Sequence, residues 1–383
     1  MKIAIIYERI YSYDGSRLTL GGIQTYLINL ANIFLERGDE VKIYQKGTNC
    51  FVNVLEGVEV LGVSDEGDLP SYSKLLKHIS DNNTLTEDDL IIWGTEAIAQ
   101  KVTFCRSIAI QHGIAFDTYT ESSKLIKFSN MLHLDMTFLY QIIRIRRALK
   151  DISTAPHIVC VDYNFPNWIR TFKPKNSDNN LTVIPNFTRI YPYEKIKSKL
   201  EKSKNKRKLR ILFARRFFNI RGIEIMLLAA EKIVKKYGES VSITFAGEGP
   251  KEHSVNELCR LYPNHINMQK YSSKEALEFH YGYDIALVPS IASEGTSLSL
   301  LEAMSAGCYC IATATGGMSN IMIDGFNGAI IKPTAESLYS AICNAIEDDE
   351  TRYVQALNAY NMVSASFSIE MWKKRWNMFI DSI

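Results

Sequence analysis

Short apolar runs alternate with longer stretches of helical period along most of this chain. The first run, Ile3 to Tyr7, has the continuity of a strand buried on both faces. A polar loop follows, then an amphipathic stretch from Gly21 to Arg37 that Gly38 closes before the next run, Val41 to Tyr44. Further runs at Leu90 to Trp93, Ser107 to Ile110, Ile158 to Val161 and Leu181 to Ile184 are separated by helical patterns. Such alternation predicts a parallel sheet covered on both faces. The scheme restarts at Ile211 to Ala214 and repeats at Ser242 to Ala246, Ile285 to Pro289, Cys308 to Ala312 and Ala329 to Ile331.

The predicted fold class is therefore α/β, with two Rossmann-like doubly wound domains. Between them, Tyr191 to Arg210 (YPYEKIKSKLEKSKNKRKLR) is rich in lysine and arginine and loses apolar periodicity after Leu200, which reads as a linker. The expected division is residues 1–190, a basic linker at 191–208, a second domain at 209–366, and a final amphipathic segment at 367–383. Sites in such sheets form beyond the carboxyl ends of strands, and two facing sheets suit a large bipartite ligand.

With 383 residues and 46% of them hydrophobic, the chain can bury two cores. A net charge of +2 gives no argument for a nucleic-acid partner. The apolar run before Glu8 and Arg9 is too short for a signal h-region, so a cytoplasmic location is expected. The uncharged window Ala303 to Ile323 carries Gly307, Gly316, Gly317 and several hydroxyl residues, and reads as short elements rather than a membrane span. The seven cysteines give no disulfide framework, and Cys308 and Cys310 share one face of a short strand, which favours core packing over metal binding. The long pattern from Leu125 to Lys150 has a hydrophobic face and a basic end; core packing is one role and contact with an anionic membrane surface the other.

Chemistry concentrates in Val288 to Ile321. Glu294 and Gly295 lie in a loop after a strand, while Thr296, Ser297 and Ser299, with Leu298 among them, can cap or open the helix whose second turn carries Glu302. Unpaired amides at such a helix end bind phosphate without any special side chain. Taken alone, two glutamates at this spacing more often flank a capped surface helix. The stretch Glu294-Gly295 through Glu302-Ala303-Met304 to Gly307 resembles the donor-site motif of family 4 (group 1) retaining glycosyltransferases, approximately E-G-[FT]-x-L-x-x-x-E-A-M-x-x-G. The resemblance continues into Gly316-Gly317 and Asp324 to Gly328 and extends backwards through most of the chain.

A second element, Phe213 to Gly222 (FARRFFNIRG), resembles the family's G-R-L-x-x-x-K-G. Aligned without gaps, Arg216 falls on the family's arginine and Arg221 on its lysine, while Arg215 replaces the glycine. Arg216 is therefore preferred as the inward cation and Arg215 held as the alternative. Two cations would offset charge on a departing diphosphate, the task a metal performs elsewhere. Gly247 and Gly249 resemble the family's G-x-G-P turn, and Gly22, before the first long helix, resembles a glycine that lets backbone approach phosphate or acceptor. His112, after the run Ser107 to Ile110, resembles the family's histidine facing the reacting sugar, with Asp117 near it.

The resemblance implies the GT-B fold, with the final segment, Ser368 to Ile380, crossing back to the first domain. It implies retaining, metal-independent transfer from a nucleotide-sugar donor, without cofactor, to a glycan or lipid-linked acceptor, most commonly in surface-polysaccharide assembly. The rival readings are a nucleotide-sugar epimerase of like architecture and a non-catalytic sugar-nucleotide-binding subunit.

Overall fold

The apolar runs become two parallel sheets. The structure is a computed structural model that describes residues 1–19, 21–82, 85–113, 137–172, 180–204, 208–272, 274–292 and 294–383. The chain divides into two units, Met1–Ile184 and Pro185–Ile383.

The first unit holds β1 (Lys2–Ile6), β2 (Glu40–Lys46), β3 (Phe51–Leu55), β4 (Val58–Val63), β5 (Leu90–Trp93), β6 (Arg106–Gln111), β7 (His157–Cys160) and β8 (Leu181–Val183). Their order is β3-β4-β2-β1-β5-β6-β7-β8, and every neighbouring pair is parallel except β3 with β4. The hairpin β3–β4 has no counterpart among the predicted strands. Its turn is Glu56-Gly57, with φ of 52° and 86°, a left-handed pair reached here without the Asn-Gly or Asp-Gly dipeptide that usually marks it. The helix Gly22–Glu36 buries Leu27, Leu30, Ala31 and Phe34, and Gly38 ends it at φ 84°.

The second unit holds β9 (Leu209–Ala214), β10 (Val241–Ala246), β11 (Ile266–Gln269), β12 (Ile285–Val288), β13 (Tyr309–Thr313) and β14 (Ala329–Ile331). All pairs are parallel and the order is β11-β10-β9-β12-β13-β14, so the strand order reverses between β9 and β12. A crevice opens at that reversal, beyond the carboxyl ends of the two strands.

Alternation along these strands feeds two cores. Ile211, Phe213, Ile243, Phe245 and Leu287 face one cluster, packed with helices Ile223–Tyr237 and Ala335–Glu347. Leu212, Ala214, Ala246, Ala286, Val288, Cys308, Cys310 and Ala312 face the other, against helix Leu298–Ser305. The small residues on this second face let that helix lie close to the sheet. Cys308 and Cys310 are both free and fully buried there, in the packing role that their spacing predicts.

The expected linker is structured. Helix Tyr193–Ser203 buries Ile196 and Leu200 in the first of these clusters, and burying two such side chains contributes about 3–6 kcal/mol. Its charged residues cover a solvated face; the i, i+4 apolar pair decides the structure. The final helix, Ile369–Ile380, starts where Ser368 Oγ accepts from the Met371 amide at 3.2 Å, and belongs with the second unit. Trp372 and Trp376 are fully buried, and Trp372 packs against Phe187 at 4.1 Å between ring centroids.

Candidate functional site

The reversal between β9 and β12 places two short segments side by side: Arg215 leaves β9, and Ser290 to Glu294 leave β12. Arg215 turns inward. Its Nη1 donates to Ser297 Oγ at 2.9 Å and Ser299 Oγ at 2.8 Å, and its Nη2 donates to Ser290 Oγ at 3.0 Å and to Glu294 Oε1. The same Glu294 oxygen accepts from Arg221 Nη1 and from Ser290 Oγ, the latter at 2.7 Å. Side-chain exposure is 8% for Arg215, 9% for Glu294 and 18% for Arg221, so this is a nearly dry group with a carboxylate between two guanidinium ions. Burial draws the Arg215 pKa down and Arg221 adds to that, while Glu294 opposes both.

Arg216, the preferred inward cation, is exposed and lies over the Phe218 ring at 5.5 Å from its centroid. The inward position belongs to Arg215. The physical reason is the chain path: β9 ends at Ala214, and the backbone then turns, with the Phe217 amide bonded to the Glu248 carbonyl at 2.9 Å. Gly247 and Gly249 serve this turn. A Cβ on Gly247 would come within 2.2 Å of the Arg215 carbonyl oxygen, and one on Gly249 within 2.9 Å of the Phe217 carbonyl oxygen.

The Glu294 loop is held from beneath. Gly316, at φ 55°, leaves room where a Cβ would meet the Glu294 carbonyl oxygen at 1.9 Å, and the Gly317 amide donates to that oxygen at 2.8 Å. Gly317 likewise packs directly on Gly295 and Thr296, and the Thr296 carbonyl accepts from Asn186 Nδ2 at 2.6 Å. Helix Leu298–Ser305 then begins, with Ser297 at the N-cap position. Ser297 makes no side-chain cap, because its hydroxyl accepts from Arg215; the expected capping role passes to the arginine network. The first amides of the helix, Leu298 onward, have no intrahelical partner and carry the positive end of its dipole.

Glu302, one turn further, is part-buried, and among the described residues no side-chain hydrogen bond is made to its carboxylate. Burial pushes its pKa up to about 8, and the charge of Arg215 opposes the shift. Burial and Glu302 together raise Tyr271, whose ring stacks on Phe279 at 4.4 Å. Ser290 and the Gly316-Gly317 support are the parts to which residue reading assigns no contact. Ser290 is a polar residue just past a strand end at the reversal, and that position is the signal for it.

In the first unit, His112 follows β6 and its Nε2–H donates to the Gly94 carbonyl at 3.0 Å, leaving Nδ1 as an acceptor. The Tyr26 ring meets it edge-on at 5.1 Å. Burial lowers its pKa to about 4, so the ring is neutral at ordinary pH. Gly22 opens the first helix, whose amino end has no side-chain cap and no acidic residue in its first turn. Asp117 and residues 125–136 of the long pattern lie outside the described residues; helix Thr137–Asp151 is its described part.

Among solved structures, the chain resembles sucrose-phosphate synthase from Thermosynechococcus elongatus, with TM-score 0.74, 16% identity and coverage of 100% of this chain and 98% of that one. It also resembles Anabaena HepE, solved in complex with UDP, with TM-score 0.72, 17% identity and full coverage of both chains. The fold is GT-B. Residues 194–362, within the second unit, match the family model described as glycosyl transferases group 1. An uncharacterized glycosyltransferase of Methanocaldococcus jannaschii is 29% identical over 201 residues, 50% of each chain. This chain spans half or less of the length of the curated relatives it matches first. Among the described residues no helix is long and apolar enough to cross a membrane.

Proposed function

We propose that this protein is a retaining glycosyltransferase, moving a sugar from a nucleoside-diphosphate sugar to a hydroxyl of a glycan or lipid-linked acceptor in surface-polysaccharide synthesis. The observation that carries the reading is the Arg215–Glu294–Arg221 group beside the amino end of helix Leu298–Ser305. A diphosphate brought to that helix end meets free amides and two guanidinium ions, which stabilise the charge that develops as the sugar–oxygen bond breaks. The arginines thereby fill the role a metal ion has in other transferases, and the reading is metal-independent.

Glu294, once the diphosphate draws the arginines towards itself, has a carboxylate to offer sugar hydroxyls. Glu302 accepts hydrogen bonds from a ribose diol. His112 Nδ1 accepts one from a hydroxyl of the sugar or of the acceptor. Retention comes with the family resemblance, and neither glutamate is assigned as nucleophile or base.

Titration with UDP-, GDP- and dTDP-sugars, followed by proton NMR of the tightest binder with and without glycan acceptors, tests the reading. Release or transfer of the sugar with its anomeric configuration kept, undiminished by a chelator, supports it. An isomeric donor formed without acceptor would make the protein an epimerase, and tight binding with neither hydrolysis nor transfer a binding subunit.

A further inference from the structure

Helix Thr137–Asp151 (TFLYQIIRIRRALKD) joins β6 to β7 in the first unit and buries Ala148, with Ile145 and Leu149 packed beside it in the core. At about 100° per residue, Leu139, Ile143, Arg146, Arg147 and Lys150 fall within one stripe about 100° wide on the opposite side. The stripe faces solvent: Leu139 is 52% exposed and Ile143 59%, while Arg146, Arg147 and Lys150 are exposed along its tail. Asp151, the helix's carboxylate, lies beyond the edge of the stripe. The next connection, helix Asn164–Phe172, carries the sheet onward from β7 to β8, so right-handed crossovers set both helices on one face. That helix exposes Trp168 at 43%, stacked on Phe172 at 6.0 Å.

Two large apolar side chains standing together in water are costly unless something covers them. The cations decide what the cover is. Two copies of the chain meeting through this face would bring cations against cations or against the apolar head, with no carboxylate in the stripe to pair them. An anionic lipid surface satisfies both ends at once. The geometry points to this stripe as a docking surface for an anionic bilayer: Leu139 and Ile143 enter the boundary between headgroups and acyl chains, and Arg146, Arg147 and Lys150 meet lipid phosphates. The inference goes beyond the transfer reaction, because lipid binding needs neither donor nor acceptor.

The test is sedimentation of the full chain with vesicles of phosphatidylcholine alone or with about one third phosphatidylglycerol. Binding is expected to the mixed vesicles only, weakening as salt rises. Each basic residue near the surface contributes about a fivefold factor in affinity, so an Arg146→Glu, Arg147→Glu variant should bind at least about tenfold more weakly. A Leu139→Ser, Ile143→Ser variant should also lose binding, with the thermal melt of each variant confirming that it folds and sugar–nucleotide binding unchanged. Equal binding to both vesicle types, or unchanged binding by folded variants, overturns the proposal. So does a dimer in solution that the same substitutions dissociate, since a second copy would then cover the face.

Discussion

Replacing Arg215 by alanine removes a buried guanidinium that donates to Ser290, Ser297, Ser299 and Glu294. Glu294 keeps Arg221 and the Ser290 hydroxyl, so the loss falls at the low end for breaking a buried ion pair, about 3 kcal/mol. For a domain of this size that lowers the melting temperature by roughly 6–12 °C. The effect on the proposed reaction is separate: removing one preorganised donor to a departing anion costs on the order of 3 kcal/mol in the barrier, a hundredfold in kcat. Arg216→Ala deletes an exposed side chain lying over Phe218, and should change stability by no more than about 0.5 kcal/mol and turnover by less than about threefold. Calorimetric melting together with release of sugar from the donor, measured well below the melting temperature, reads both quantities. Arg215→Lys keeps the charge and loses the fork that reaches three serines, so it should recover stability only in part. An Arg216→Ala variant that loses more turnover than Arg215→Ala would refute the assignment.

Three further outcomes follow from the same site. Glu302 has its folded pKa raised from 4.5 to about 8, so the stability of the neutral form is fully present below pH 4.5 and is lost as pH rises through about 8. Donor affinity should instead rise across that range as the carboxylate forms, and Glu302→Gln should flatten both profiles. His112 has its folded pKa lowered from 6.5 to about 4, so its contribution is present above pH 6.5 and is lost as pH falls through about 4; His112→Gln should shift the acid end of the stability curve and leave its alkaline side alone. Gly316→Ala puts a Cβ where the Glu294 carbonyl oxygen would be 1.9 Å away, and should weaken nucleotide binding at least about tenfold with a loss of about 1–3 kcal/mol in unfolding free energy.

Much of this molecule is legible in its sequence because parallel strands are continuous apolar runs. Leu90–Trp93 and Ala329–Ile331 are observed as predicted, and the other predicted runs are found within a residue or two at their ends. What escapes is polar or edge structure: β11 reads Ile-Asn-Met-Gln, and β3 exposes Val52 and Val54 at 61% and 65%, so neither shows a buried run. Helix Tyr193–Ser203 hides its Ile196–Leu200 pair among lysines, and charge density misleads there because a solvated face says nothing about the buried one. At the site, spacing alone leaves Glu294 and Glu302 as flanks of a surface helix; the family resemblance groups them with Arg221, but does not say which of two adjacent arginines turns inward. That is settled by the backbone turn after Ala214, which depends on Gly247 and Gly249, far away in sequence. The same distance hides the exchange at Ser297, whose hydroxyl answers Arg215 rather than its own helix.

In the proposed reaction the second unit grips a diphosphate between two arginines and a helix end. The most direct test is calorimetric titration of UDP, GDP and dTDP into the wild-type protein and the Arg221→Ala variant. At least one of the three should bind, the matching nucleoside should bind far more weakly, and Arg221→Ala, still folded, should lose at least about tenfold in affinity, roughly 1.4 kcal/mol. Nucleoside and nucleoside diphosphate binding equally well, or an unchanged affinity in Arg221→Ala, would contradict it.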